Sequence, residues 1–111
     1  MAALLGERFR CARTRLYGLA MSHAVVHNPA RHRFELDIDG QTVFTEYRLS
    51  GGVMTFFHTL TPPALRGRGL AARVVQAALD YARREGMKVV PLCWYVSGHI
   101  EAHPEFRKLL A

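Results

Sequence analysis

At 111 residues, half of them apolar and 22% charged, the chain has the size and composition of one globular domain with a single core. Residues 1–20 supply half of the net charge of +6, so the remaining 91 residues are only mildly basic. The chain also lacks interleaved basic and aromatic residues, and this pattern disfavours a nucleic-acid partner. No apolar run approaches the roughly 20 residues of a membrane span, and Cys11 and Cys93 form no disulfide or zinc framework, so we expect a cytoplasmic protein without a membrane partner.

Residues 1–20 are rich in arginine and small residues, and three interpretations of them remain open. In the first, Met1 is a mis-called start and translation begins at Met21. In the other two, residues 1–20 are a disordered basic extension or a weak transit-like segment. The apolar stretch is too short for a secretory signal. We favour an upstream start or a disordered tail, because Met21 opens a segment that leads directly into predicted strands. We therefore expect one domain over residues 21–111 and no catalytic role for residues 1–20.

The predicted domain begins with an antiparallel meander. After a strand-like stretch at 25–27 and a turn at 28–30, residues 33–38 alternate polar and apolar side chains, which indicates a half-buried strand. Asp39-Gly40 is a strong hairpin signal that leads into a partner strand at 41–49. A third, more apolar strand at 53–60 is expected to be central. One face of the 41–49 strand is predicted to carry Val43, Thr45, Tyr47 and Leu49.

A helix and a parallel strand are predicted to follow. Pro62-Pro63 ends the third strand. Gly86 is suited to end the helix that comes next, and residues 87–93 then form a short strand, parallel to 53–60 across a right-handed crossover. A short helix at 96–103 and an apolar turn at 106–110 complete the chain. The helix carries apolar residues at the 3.6-residue period: Leu70, Ala71, Val74, Val75, Ala78, Leu79 and Ala82.

A glycine- and arginine-rich loop joins the third strand to that helix. It has the sequence Arg66-Gly67-Arg68-Gly69-Leu70-Ala71. Glycines at such a turn allow successive N–H groups to converge on an anion, and the positive end of the helix dipole adds to the attraction. The loop has neither the Lys-Ser/Thr pair of a Walker A motif nor the third glycine of a dinucleotide fingerprint. The order of strand, glycine- and arginine-rich loop and helix predicts a phosphate or pyrophosphate site. The alternative is a strand-to-helix turn that binds nothing.

The loop pattern Arg-x-x-Gly-x-Ala resembles the Q/R-x-x-G-x-G/A signature of the GNAT acetyltransferase superfamily. Thr61-Pro62-Pro63 before the loop and Cys93-Trp94-Tyr95 after it resemble a small single-domain branch of that superfamily. The resemblance covers about residues 24–106. It implies an α/β fold of layered α+β type, with a three-stranded meander, a βαβ crossover and a short C-terminal helix. It also implies that acetyl-CoA is the cofactor.

The resemblance assigns residues to the cofactor. In the family, the loop amides hold the pyrophosphate, so residues 67–71 take that role here, with charge-assisted contacts from Arg66 and Arg68. The pantetheine arm lies where two parallel strands splay apart, which places it against Leu60, with Leu92 and Cys93 closing the gap. The expected cofactor-binding residues are Leu60, Arg66, Gly67, Arg68, Gly69, Leu70, Ala71 and Cys93.

Three residues are candidates for the chemistry, each with a structural alternative. Cys93 can act as a nucleophile or as a proton donor to the leaving thiolate, or it can be a small buried hydrophobe. Tyr95 lies near the position where the family often places a tyrosine acid. His58 suits a general base, unless it is an ordinary buried histidine. Trp94 is expected in the core or as a wall of the pantetheine channel.

Histidines elsewhere are not expected to be catalytic. His99 and His103 are four residues apart, a spacing that can bind a metal, but no third ligand is near in the sequence, and we interpret them as surface or cofactor-edge residues. His23, His27 and His32 are expected in loops or at strand edges.

Two classes of function remain. The first is an N-acetyltransferase that moves an acetyl group from acetyl-CoA to an amine, on a protein or peptide lysine or on a small molecule, by direct transfer. The second is a non-catalytic module that binds coenzyme A or a nucleotide. It is credible because only residues 28–32 stand where the family has two helices that build part of the acceptor pocket. Their absence would leave the acceptor side open, which suits a protein or peptide amine.

Overall fold

The computed structural model describes residues 24–111, so the predictions for residues 1–20 and for His23 lie outside the described residues. Short 3-10 turns lie at Pro29–Arg31, Pro63–Leu65 and Pro104–Leu109. The strands and helices, in chain order, are β1 Val26–Asn28, β2 Arg33–Ile38, β3 Gln41–Ser50, β4 Val53–Leu60, α1 Leu70–Arg84, β5 Lys88–Pro91 and α2 Trp94–Ala102.

The five strands form one sheet in the order of the chain, β1-β2-β3-β4-β5. The first four pair antiparallel, and β5 pairs parallel to β4 after the α1 crossover. The predicted meander, the crossover and the mixed α/β fold class are therefore confirmed. Only a three-residue 3-10 turn, Pro29–Arg31, lies between β1 and β2, as the spacing predicted.

The core lies between one face of the sheet and α1. All seven predicted apolar positions of α1 are buried, and the helix ends before Gly86, whose φ of 69° is the left-handed conformation that glycine adopts at low cost. From β3, Val43, Thr45 and Tyr47 face this core, whereas Leu49 beyond them is 48% exposed. Phe106 of the last 3-10 turn is fully buried in the same core. The helical stripe and most of the strand pattern thus predict the core correctly.

A β-bulge interrupts β4 near its end. Glu46 of β3 pairs with His58 and Tyr47 pairs with Phe56, so Phe57 is an extra residue without a partner on β3. Met54 and Phe56 point into the core before the bulge, whereas after it Thr59 lies on that side. The bulge therefore reverses which residues of the strand face α1.

The last strand and the last helix differ from their predicted bounds. β5 ends at Pro91, two residues short of Cys93, and α2 begins at Trp94 rather than at residue 96. The Leu92 N–H turns back to the Val90 carbonyl at 3.2 Å, and the Cys93 N–H bonds the Phe56 carbonyl instead, so the regular ladder between β4 and β5 ends at this point. Cys93 is consequently the N-cap residue of α2 and not the end of a strand.

The other face of the sheet is covered by its own side chains, since no α-helix among residues 24–111 packs on it. The guanidinium of Arg33 lies 3.9 Å from the ring centroid of Phe44 and pairs with Glu46 at 3.1 Å and with Glu35 at 3.7 Å. Phe44 is only 8% exposed as a result.

His27 lies on β1, which is an edge strand of the sheet, and its ring belongs to an aromatic cluster. Its ring stacks on Phe34 at a centroid distance of 4.2 Å, and its Nε2 lies 2.6 Å from the Tyr47 hydroxyl. Burial lowers the pKa of His27 from its ordinary value of 6.5, and the neighbouring His32 lowers it further. The folded state thus favours the neutral ring.

Because the folded pKa of His27 is depressed, the unfolded chain binds the proton more readily, and stability must rise with pH across this titration. We expect the free energy of unfolding to fall as the pH drops from about 7.5 through the ordinary histidine range. His99, whose pKa is also lowered, by burial first, contributes in the same direction. Urea unfolding at about pH 7.5 and 5.5 measures the loss, which should be smaller in His27→Phe than in the native chain. Equal losses in the two proteins would contradict the assignment.

Candidate functional site

A cleft of about 490 Å³ opens where β4 and β5 part. The two strands pair as far as Phe56 and Pro91, and the last bond between them is from the Cys93 N–H to the Phe56 carbonyl, at 2.9 Å. Beyond it the end of β4 and the start of α2 form opposite walls. The cleft is lined by Thr59, Leu60, Thr61, Leu65, Arg66, Gly67, Gly69, Leu70, Ala71, Cys93, Trp94 and Tyr95.

The glycine loop forms one end of this cleft. Gly67 and Gly69 have φ angles of 82° and 72°, and a Cβ on either would meet nothing within 4 Å. Glycine is therefore suited here by backbone conformation and not by lack of space. In the described part of the chain, the amides of residues 67–71 donate to no acceptor. With the α1 dipole behind them, these amides are suited to hold an anion.

The two arginines of the loop differ in placement. Arg66 lines the cleft, and its Nε donates to the Thr61 carbonyl at 3.1 Å. That bond holds the guanidinium stem against the loop and leaves its terminal nitrogens for an anion. Arg68 is exposed and does not line the cleft. Leu92, expected to close the gap with Cys93, is 66% exposed and also lies outside the lining.

Cys93 lines the cleft and is 9% exposed. Its thiol donates to Thr59 Oγ1 at 3.4 Å, and Thr59 Oγ1 lies 2.9 Å from Thr45 Oγ1. Thr45 is fully buried, and its hydroxyl donates to the His58 carbonyl at 3.3 Å. Among residues 24–111, the side chain that bonds the thiol is thus a hydroxyl and not a base.

The aromatic residues after Cys93 lie at the mouth of the cleft. Tyr95 is half-buried, lines the cleft and packs against the core. Trp94 is 81% exposed, with its ring edge-on to Tyr95 at 5.8 Å between centroids. The expectation that Trp94 belongs to the core is therefore not met, because the first turn of α2 directs it outwards. Its place on the cleft wall agrees with the other alternative.

His58 and Cys93 are not brought together. The imidazole of His58 is exposed and lies edge-on to Phe44, on the face of the sheet away from α1. An uninterrupted strand would place residues 54, 56 and 58 on one side. The bulge at Phe57 instead turns Thr59 towards Cys93 and His58 away from it. Thr59, the residue that the sequence analysis missed, carries no signal that distinguishes it before the bulge is known.

His99 and His103 bond within the fold. His99 Nε2 lies 2.9 Å from Gln76 Oε1, and His103 Nδ1 bonds the carbonyl of His99 at 2.9 Å. The two rings stack at 4.1 Å. No group of three potential metal ligands occurs among the described residues. Burial first, and His103 second, lower the pKa of His99, so its neutral form is favoured.

The comparisons with known proteins agree with the fold. A family model described as GCN5-related N-acetyl-transferase matches residues 33–109. This chain belongs to the GCN5-related N-acetyltransferase family, the GNAT superfamily whose loop it resembles.

Among its relatives is a protein named Protein NATD1 from Mus musculus, which is 30% identical over 83 residues covering 72% of this chain and 76% of that protein. Protein NATD1 from Homo sapiens is also 30% identical over 83 residues, covering 72% of this chain and 74% of that protein. The solution structure of a GCN5-like protein from Staphylococcus aureus superposes with a TM-score of 0.64 at 16% identity, over 80% of this chain and 88% of that one. That likeness shows the shared fold. In the part of the chain that the structure describes, no helix is both long and apolar enough to span a membrane.

Proposed function

We propose that the protein transfers an acetyl group from acetyl-CoA to an amine. The observation that carries the proposal is the cleft at the β4–β5 splay, with Cys93 in its lining and, at one end, the amides of residues 67–71, which have no acceptor within residues 24–111. A negatively charged pyrophosphate fits the first feature, and a thioester arm fits the second. Membership of the GCN5-related family supports the same reaction.

In this proposal the amides of Gly67 to Ala71 hold the pyrophosphate, with Arg66 adding a charge-assisted contact. Acetyl-CoA supplies the activated acyl group. The unpaired edge of β4 near Leu60 orients the thioester, and the incoming amine attacks its carbonyl directly. Tyr95 or Cys93 protonates the leaving thiolate. The acceptor class is an amine on a protein, a peptide or a small molecule.

A non-catalytic coenzyme A-binding module is the second candidate. The described residues place no helix on the sheet face away from α1, so no separate element encloses an acceptor there. His58, the expected base, also lies outside the cleft lining. Binding without turnover would be consistent with both observations.

Two measurements test these candidates. Mass spectrometry of the purified native protein should detect coenzyme A or acetyl-CoA bound in about stoichiometric amount. Incubation with acetyl-CoA labelled in the acetyl group and a mixture of lysine peptides should then yield acetylated peptide. Binding without transfer to any amine offered would support the module, and the absence of binding would contradict both candidates.

Direct transfer predicts the behaviour of Cys93→Ala. We expect this variant to keep substantial activity, because the amine and not the thiol attacks the carbonyl and Tyr95 remains to protonate the leaving thiolate. We also expect no acetyl group on the native enzyme after incubation with acetyl-CoA alone. Intact-mass analysis at millisecond to second times checks this, with Cys93→Ser as the control for side-chain size. A stoichiometric acetyl-Cys93 formed as fast as turnover would contradict direct transfer.

A further inference from the structure

A second hollow, of about 280 Å³, adjoins the cleft along the outer face of α2. Trp94 and Tyr95 line both the cleft and this hollow, so the two are continuous at the start of α2. The hollow then follows the helix for about two turns. Its lining consists of Trp94, Tyr95, Gly98, His99 and Ala102. None of these side chains is a carboxylate, so a ligand that carries phosphate can continue from the cleft along α2 without repulsion from the lining.

Trp94 presents a large aromatic surface to solvent at the point where the cleft and the hollow meet. It is 81% exposed, and its ring partner among residues 24–111 is Tyr95, edge-on at 5.8 Å between centroids. The indole is therefore largely uncovered. A single exposed apolar side chain needs no explanation by itself, but this one lines two adjoining hollows. An indole in this position is suited to stack on a flat aromatic group of a ligand.

Gly98 keeps the hollow open beside Trp94. It lies in the middle of α2, where glycine is less favourable than alanine. Its backbone is helical, and a Cβ added to it would meet nothing within 4 Å, so the packing of the fold does not require glycine here. Trp94 and Gly98 are four residues apart and share one face of the helix. The missing side chain thus leaves room next to the exposed ring.

We propose that the hollow on α2 is the subsite for the adenosine part of coenzyme A, with Trp94 stacking on the adenine. This inference rests on the proposed function, in which the loop amides hold the pyrophosphate and the thioester arm lies in the cleft. The pyrophosphate joins that arm to the adenosine, so the adenosine lies outside the splay and close to the loop. The loop and Trp94 line the same cleft, and the hollow begins at Trp94. Trp94 is then a specificity-determining residue for the nucleoside.

Titration calorimetry with coenzyme A and with phosphopantetheine tests the subsite, because the two ligands share the thiol arm and only the first has an adenosine. Trp94→Ala should bind coenzyme A about tenfold more weakly than the native chain and bind phosphopantetheine equally well. Gly98→Leu fills the hollow with a residue that favours a helix, and it should show the same pattern. Leu92→Ala is the matched control and should change neither affinity, since Leu92 is 66% exposed but lines neither the cleft nor the hollow. Circular dichroism confirms folding of each variant.

Fluorescence supplies a second readout, because Trp94 is the single tryptophan of the chain. Coenzyme A should quench its emission through stacking of the adenine, and phosphopantetheine should leave the emission nearly unchanged. Equal weakening of both ligands in Trp94→Ala would assign the ring to the thioester arm and overturn the proposal, as would an unchanged affinity for coenzyme A. In either case, binding of coenzyme A by the native chain would still support the proposed function. A native chain that binds no coenzyme A would contradict both.

Discussion

Gly69→Glu should abolish coenzyme A binding while the domain remains folded. Gly69 is the N-cap residue of α1 and lines the cleft beside amides that lack an acceptor in residues 24–111. A carboxylate there would occupy the position proposed for the pyrophosphate and repel it. Titration calorimetry with coenzyme A should show heat of binding for the native chain and none for the variant.

Gly86→Glu is the matched control. Gly86 lies just beyond the other end of α1, also has positive φ, at 69°, and also has nothing within 4 Å of an added Cβ. Both substitutions place a glutamate in the left-handed region, which costs about 1–2 kcal/mol of stability. Only Gly69 lies at the cleft, so Gly86→Glu should bind coenzyme A as the native chain does. Equal binding by both variants would place the anion site elsewhere, and equal loss would indicate a general effect on the fold.

The second large effect is on stability. Phe56→Ala should lower the free energy of unfolding by about 3–5 kcal/mol, because it removes a fully buried ring and leaves a cavity. Phe56 packs near Tyr47, at 5.8 Å between ring centroids, and its carbonyl forms the last bond to Cys93 before the strands part. A domain of this size is stable by about 5–15 kcal/mol, so much of its margin would be lost. Urea unfolding followed by circular dichroism measures the change.

Phe57→Ala is the control for that prediction, since it deletes the same side chain one residue along. The bulge turns Phe57 outwards, where it is 37% exposed and Arg48 lies 4.6 Å from its ring centroid. We expect a loss of about 1 kcal/mol or less. If the two alanine variants lose equal stability, or if Phe57→Ala loses more, the position of the bulge is wrong.

Local sequence signals predicted the elements of this fold and the place of the cleft. The seven apolar positions of α1 recur at the helical period, and all are buried, since one helix face must cover one sheet. Asp39-Gly40 and the prolines after β4 mark turns through backbone restrictions that act within a few residues. The loop from Arg66 to Ala71 was expected to form an anion site, because a strand, a glycine turn and a helix follow one another directly in the sequence and can be recognised without knowledge of distant contacts. Of the eight residues expected at the cofactor, seven line the cleft, and Arg68 is the exception.

The tertiary structure alone decided which neighbouring side chains share the cleft. Alternation along β4 would bring His58 towards Cys93, but the bulge at Phe57 reverses it and brings Thr59 instead. A bulge depends on how two strands pair, and β3 and β4 contain no residue that requires one at that position. In the same way, the pairing of β5 with β4 stops at Pro91, so that Cys93 caps α2 and Trp94 points outwards. The sequence by itself determined the order of elements and the position of the glycine loop, through short-range backbone preferences. Pairing between distant strands determined which side chains stand beside the thiol.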